Sequence, residues 1–228
     1  RHIAGVERAV VVGGGLTGVE LTEMLHSRGV HVTFLVREER YMSKVLPPEE
    51  SALVEAEIRA HGIDLRMGEE LASIQGGSRV SHVTTTSGEH IDAQLVGLTV
   101  GVRPNLSALG SSEIETDRGI LVDKQMRTSH ANIWAAGDCA QHHTPPPGVP
   151  PVEQLWYSGR RQGVAAARSM LGATDSYRRG VFFNSAKFYR MEWQQYGRVP
   201  AELPDELGTV VWQDTSGEGP KLIRLGYE

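Results

Sequence analysis

The sequence predicts an α/β fold built on a parallel sheet. Two observations carry that reading. The first 62 residues alternate buried-strand and helix patterns, and the first strand runs directly into three glycines that open a helix. Residues 8–12 (RAVVV) are a short, nearly all-apolar run, as expected of a strand covered on both faces. Leu16, Val19, Leu21, Met24 and Leu25 then recur at helical spacing over residues 16–28, with Gly29 as a natural stop. Residues 30–36 form the second strand, and Pro47-Pro48 starts a second helix that reaches His61, just before Gly62. From Ile63 to Leu98 the pattern becomes short β-prone runs (64–67, 80–86 and 90–95) separated by Gly76-Gly77 and Ser87-Gly88, as in an antiparallel meander. Residues 95–100 rejoin the main sheet.

The turn Arg103-Pro104-Asn105 closes this first domain, residues 1–105. A second segment, 106–174, carries short strands at 120–122 and 133–136, the proline cluster TPPPGVPP and a helix over 152–171. Eight of the 14 aromatic residues (four Phe, four Trp, six Tyr in all) lie in the last 48 residues, within a third segment, 175–228: Phe182, Phe183, Phe188, Tyr189, Trp193, Tyr196, Trp212 and Tyr227. Strands are expected there at 181–196, 209–213 and 222–227.

Totals exclude several functions. With 228 residues, 39% hydrophobic and 22% charged, the chain can bury a sizeable core, and its net charge of -5 provides no global field for nucleic acid. No apolar run approaches the roughly 20 residues of a membrane helix, and the first residues lack a signal-peptide core, so a cytoplasmic location is the expectation. A single cysteine, Cys139, excludes an internal disulfide and reads as a small packed residue. No metal site is expected: the adjacent His142 and His143 read as solvated loop residues without further ligands at recognisable spacing.

The chemistry concentrates at Gly13-Gly14-Gly15-Leu16-Thr17-Gly18, a G-x-G-x-x-G run in the strand-to-helix context that the motif requires. Gly13 permits the tight turn, Gly15 lets backbone approach a pyrophosphate, and Gly18 allows close helix packing. The helix N-terminus presents unpaired N–H groups to the anion. This is a Rossmann-like dinucleotide site. About 20 residues after such a loop a carboxylate usually holds the adenine ribose hydroxyls. Here Val36-Arg37 takes that place, with Arg40 and Lys44 nearby. A guanidinium there suits a 2′-phosphate, which favours NADPH over NADH. Glu38 and Glu39 leave open the alternative of an exposed charge cluster. At the other candidate site, the run IWAAGDCA stops at Gly137-Asp138, where a strand would deliver a carboxylate to a ligand; a turn or capping aspartate is the alternative.

GGGLTGVEL, VGVRPN and TSHANIWAAGDCA, in this order, resemble the pyridine nucleotide-disulfide oxidoreductase family of flavoproteins over nearly the whole chain. The resemblance implies FAD and NAD(P)H on two related dinucleotide domains, followed by an interface domain that forms a homodimer. It gives Asp138 the ribityl chain of FAD, and places the helix beginning at Val152-Glu153-Gln154 against the flavin pyrimidine ring, where its N-terminus would stabilise a reduced flavin. Glu20 matches a position near the nicotinamide carboxamide, with a plain surface glutamate as the alternative. Gly101 matches the close backbone approach to the nicotinamide, while Arg103 fits a structural salt bridge equally well. The family's own FAD-binding glycine loop lies well upstream of the NAD(P) loop, so the chain is expected to hold only part of the flavin site, with a shortened interface domain, as a piece of a longer polypeptide. The implied activity is reduction of FAD by NAD(P)H, with electrons passing to a quinone, oxygen, a disulfide or an iron-sulfur protein. A non-catalytic nucleotide-binding or interaction module is the rival.

Overall fold

The computed structural model describes residues 3–146, 149–197, 199–202, 208–216 and 219–227. Its contacts divide the chain into two compact units, Arg1–Gly101 with Ser185–Glu228, and Val102–Asn184. In the first, β1 (Arg8–Val12), α1 (Leu16–His26), β2 (His31–Val36), α2 (Pro48–Ala60) and β3 (Asp64–Met67) alternate as expected. With β7 (Leu95–Leu98) these strands make one all-parallel sheet in the order β3-β2-β1-β7. Burial explains why β1 is apolar throughout. Ala9 and Val11 pack with Val19 of α1, Phe34 of β2 and Val54 of α2 on one face. Val10 and Val12 pack with Leu35, Val83 and Ala93 on the other. That second face is covered by an antiparallel sheet of β4 (Leu71–Gly76), β5 (Val80–Thr85) and β6 (His90–Asp92).

Two strand expectations change here. Residues 64–67 belong to the parallel sheet and not to the meander, because α2 carries the chain back across the sheet and lays Leu65 beside Phe34. The meander instead gains β4, whose sequence LASIQG lacks the β-branched alternation that marks a strand; its pairing with β5 is also interrupted by register shifts.

The expected strand at 181–196 is a hairpin of β10 (Phe183–Phe188) and β11 (Met191–Tyr196), turning at Tyr189 with φ 57°. Phe188 and Tyr189 enter the core that covers α1 and α2, where the Tyr189 ring stacks on His61 at 4.5 Å. Strands β12 (Gly208–Asp214) and β13 (Lys221–Tyr227), antiparallel as a separate ribbon, expose Val210, Trp212, Ile223, Leu225 and Tyr227. No helix among the described residues is long and apolar enough to cross a membrane.

In the second unit, β8 (Ile120–Val122) pairs in parallel with β9 (Ala140–His142), and α3 (Trp156–Met170) packs Ala166 with Val122, Met126, Ala135 and Ala140. Residues 133–136 are not a paired strand: only Trp134 forms a bridge, to Arg127, and the strand follows Gly137-Asp138 instead of preceding it. The Ala135 N–H donates to the Met126 carbonyl at 3.1 Å beside that bridge, and the pairing goes no further. The helix begins at Trp156, so Glu153 and Gln154 stand before its N-terminus; Val152 is held in a bridge to Gln141. His142 lies in β9 and stacks on Tyr177 at 5.3 Å, a buried-side role and not that of a solvated loop residue.

Candidate functional site

In the first unit, the candidate residues gather where β1, β2 and β7 all end, the edge at which parallel α/β sheets hold ligands. Gly13 has φ 112°, and a Cβ on it would stand 2.4 Å from the Thr99 carbonyl oxygen. A Cβ on Gly14 would strike Val36 Cγ1 at 2.6 Å, and one on Gly18 would come within 2.1 Å of the Gly13 carbonyl oxygen. Protein atoms therefore account for these three glycines. Gly15 is different: a Cβ there meets nothing within 4 Å, and its φ of −83° suits any residue. It caps the N-terminus of α1, which has no side-chain cap and no acid in its first turn. Leu16 is partly buried against the core, Thr17 is exposed, and the Gly18 and Val19 N–H groups donate to the Gly15 carbonyl at 3.1 and 3.2 Å. The open space beside Gly15, at the positive end of the helix, fits an anion's approach.

Val36 is fully buried and turned inward, which leaves Arg37 as the first side chain beyond β2 able to face a ribose. Arg37 Nε donates to Glu38 Oε1 at 3.1 Å, in an exposed pair. Arg40 is committed elsewhere, bonding the Leu46 carbonyl and, at 3.0 Å, Ser51 Oγ. The Glu39 carboxylate packs toward Gly68. Glu20 is exposed on α1, and Gly101, with φ 108°, follows β7 in an exposed segment where Val100 and Val102 are about three-quarters accessible (74% and 76%). Arg103 is exposed as well.

In the second unit, Gly137 (φ 82°) and Asp138 occupy a turn closed by the Ala140 N–H donating to the Gly137 carbonyl at 2.9 Å. Asp138 is exposed, and Cys139 is half-buried with its Sγ 3.6 Å from the Ala136 carbonyl oxygen. Before α3, the Glu153 side chain is buried and accepts from Arg179 Nε at 2.5 Å, while Gln154 is partly exposed. The N-terminus of α3, capped by Leu155, has neither a side-chain cap nor an acid in its first turn. Desolvation holds the His142 imidazole below its ordinary value, against the opposing charge of Glu153.

Two supporting residues escaped the sequence. Thr99 Oγ1 donates to the Val12 and Gly13 carbonyls at 2.8 and 3.1 Å, tying the end of β7 to the glycine turn. Gln162 is fully buried, and its Oε1 accepts from the Gly137 N–H at 2.8 Å. Its signal was faint: helical spacing puts Gln162 on one face with Ser158, Ala166 and Ser169, too polar a stripe to read as buried.

A family model described as pyridine nucleotide-disulphide oxidoreductase matches residues 2–163. Rubredoxin-NAD(+) reductase of Ectopseudomonas oleovorans is 36% identical over 146 residues, 64% of this chain and 38% of that protein. NAD(P)H sulfur oxidoreductase (CoA-dependent) of Pyrococcus abyssi is 34% identical over 204 residues, 88% of this chain and 45% of that one. The chain thus spans less than half the length of these curated relatives. Among solved structures, ferredoxin reductase for the CYP199A2 system from Rhodopseudomonas palustris aligns with a TM-score of 0.77 at 26% identity, covering 85% of this chain and 48% of that one. A covalent putidaredoxin reductase–putidaredoxin complex aligns at 0.80 and 25% identity, covering 96% and 52%.

Proposed function

The chain belongs to the pyridine nucleotide-disulphide oxidoreductase family, and on that basis we propose that it supplies the NAD(P)H site and part of the FAD site of a flavoprotein oxidoreductase. The open space at Gly15, on an uncapped helix end between glycines that protein atoms already crowd, is the observation that carries the reading. The residues present fit the group: Gly15, Leu16 and Thr17 hold the pyrophosphate by backbone in a turn that Gly13 and Gly18 shape, Arg37 faces the adenine ribose, and Glu20 and Gly101 flank the nicotinamide. Asp138, carried by the Gly137 turn, accepts flavin hydroxyls, and the end of α3 behind Glu153 and Gln154 stabilises negative charge. FAD, when bound, accepts hydride from the reduced nicotinamide and releases electrons to an acceptor; the protein's part is to bind and orient.

Relatives named for rubredoxin, ferredoxin and CoA-dependent sulfur reduction make small redox proteins and sulfur compounds the acceptor classes to screen. In this reading, residues 1–105 hold the nicotinamide nucleotide, 106–174 contribute to flavin binding, and the aromatic-rich 175–228 form a homodimer interface, which light scattering of the full-length protein would check. Titrating NADPH and NADH onto the chain by fluorescence tests the nucleotide site. Saturable binding displaced by ADP-ribose is expected; failure to saturate with either coenzyme would refute it.

A further inference from the structure

Gln162 has no catalytic chemistry of its own, yet it sits in α3 with no exposure to solvent. A buried amide is costly unless both its ends are matched. Its Oε1 accepts the Gly137 N–H at 2.8 Å, and its Nε2 lies 3.5 Å from His142 Nε2. One turn earlier, Gly159 brings α3 against the same point: a Cβ on Gly159 would stand 3.3 Å from Gly137 Cα. The Gly137 carbonyl is taken by Ala140 N–H. Both polar groups of Gly137 are therefore fixed, one by α3 and one within the turn, while the next residue, Asp138, is exposed.

A leucine or methionine would fill the same volume in the helix face at little cost to packing. What the amide adds is an anchor for one backbone N–H in a turn whose glycine is in the left-handed region. We propose that Gln162 is a positioning residue for Asp138: it fixes the turn from which the carboxylate reaches its ligand, and Gly159 permits that approach. This rests on the reading of Asp138 as a flavin contact.

The experiment is a double-mutant cycle in the full-length holoprotein, reading flavin dissociation constant and the visible flavin spectrum, with thermal stability followed in parallel. Gln162→Met keeps the volume and removes the acceptor. It should weaken flavin binding about tenfold, the scale of one well-placed hydrogen bond, and Asp138→Ala should do the same. The double variant should be no weaker than Asp138→Ala alone. Gly159→Ala, which favours the helix but pushes on Gly137, should reproduce the loss and its dependence on Asp138 if Gln162→Met folds poorly. Equal losses for Gln162→Met with and without Asp138, or no loss where Asp138→Ala shows one, would overturn the positioning role. Unchanged binding in Asp138→Ala itself would bring down the flavin-contact reading first and the proposal with it.

Discussion

Adding the same methyl group at two glycines three residues apart should separate ligand space from packing space. Gly18→Ala puts a Cβ 2.1 Å from the Gly13 carbonyl oxygen, 2.9 Å from Thr99 Oγ1 and 3.0 Å from Phe34 Cε2. The first of these is backbone and cannot turn away. Overpacking of this kind costs about 1–3 kcal/mol, and the upper end applies where backbone must move. Alanine in a helix returns about 1 kcal/mol of that. The net, about 2 kcal/mol, corresponds to a fall in Tm of roughly 4–8 °C for a chain of this size. Gly15→Ala meets nothing within 4 Å at an ordinary φ of −83°. Its slightly poorer capping is offset by the loss of unfolded-state freedom, so stability should stay within about 0.5 kcal/mol. Its methyl nonetheless occupies the space assigned to the pyrophosphate, and NAD(P)H affinity should drop at least about tenfold, or about 1.4 kcal/mol. Scanning calorimetry and coenzyme titration of both variants decide the matter. If Gly15→Ala destabilises as much as Gly18→Ala, or binds coenzyme like the unaltered chain, the open cradle is not a ligand site.

Tyr41→Phe should raise Tm by roughly 2–4 °C, because the Tyr41 hydroxyl is fully buried without a hydrogen-bond partner and removing it relieves about 1 kcal/mol; a fall in Tm would show that the hydroxyl is satisfied. Burial keeps the His142 imidazole below its ordinary value, so the unfolded chain takes up that proton more readily and stability should be lost as pH falls below about 6.5 and on through the folded value. His142→Gln should flatten this part of a Tm-against-pH profile, and an unchanged slope would assign it to other groups. Arg37 must give up Glu38 to meet a 2′-phosphate, and it is well exposed. The preference for NADPH should therefore be only about three- to tenfold, and Arg37→Ala should erase it in kcat/KM; a preference for NADH, or no change on substitution, would mark Arg37 as a surface charge.

The parallel sheet was legible because β1 and β2 are covered on both faces and so are written in nearly unbroken apolar residues, with a glycine shortly after α1 and α2 and glycine or proline before them. β4 was not, since a partly exposed strand at the margin of a small sheet needs no alternating pattern to be held in place by β5. The strand at 133–136 was misplaced because an apolar run also serves to line a core with no more than a single bridge. At the site, the glycine loop is readable from spacing alone, since each glycine answers a local steric demand. Thr99 and Gln162 are not, because their partners are backbone atoms 86 and 25 residues away, and backbone carries no sequence signature.

Anaerobic mixing of the full-length protein with NADPH or NADH, followed at the visible flavin band, shows whether nicotinamide and flavin meet in one site. The protein should purify yellow and be bleached by reduced coenzyme, with the bleaching strongly impaired by Gly15→Ala. A full-length protein without flavin, or a bound flavin that neither coenzyme reduces, would contradict the proposed function.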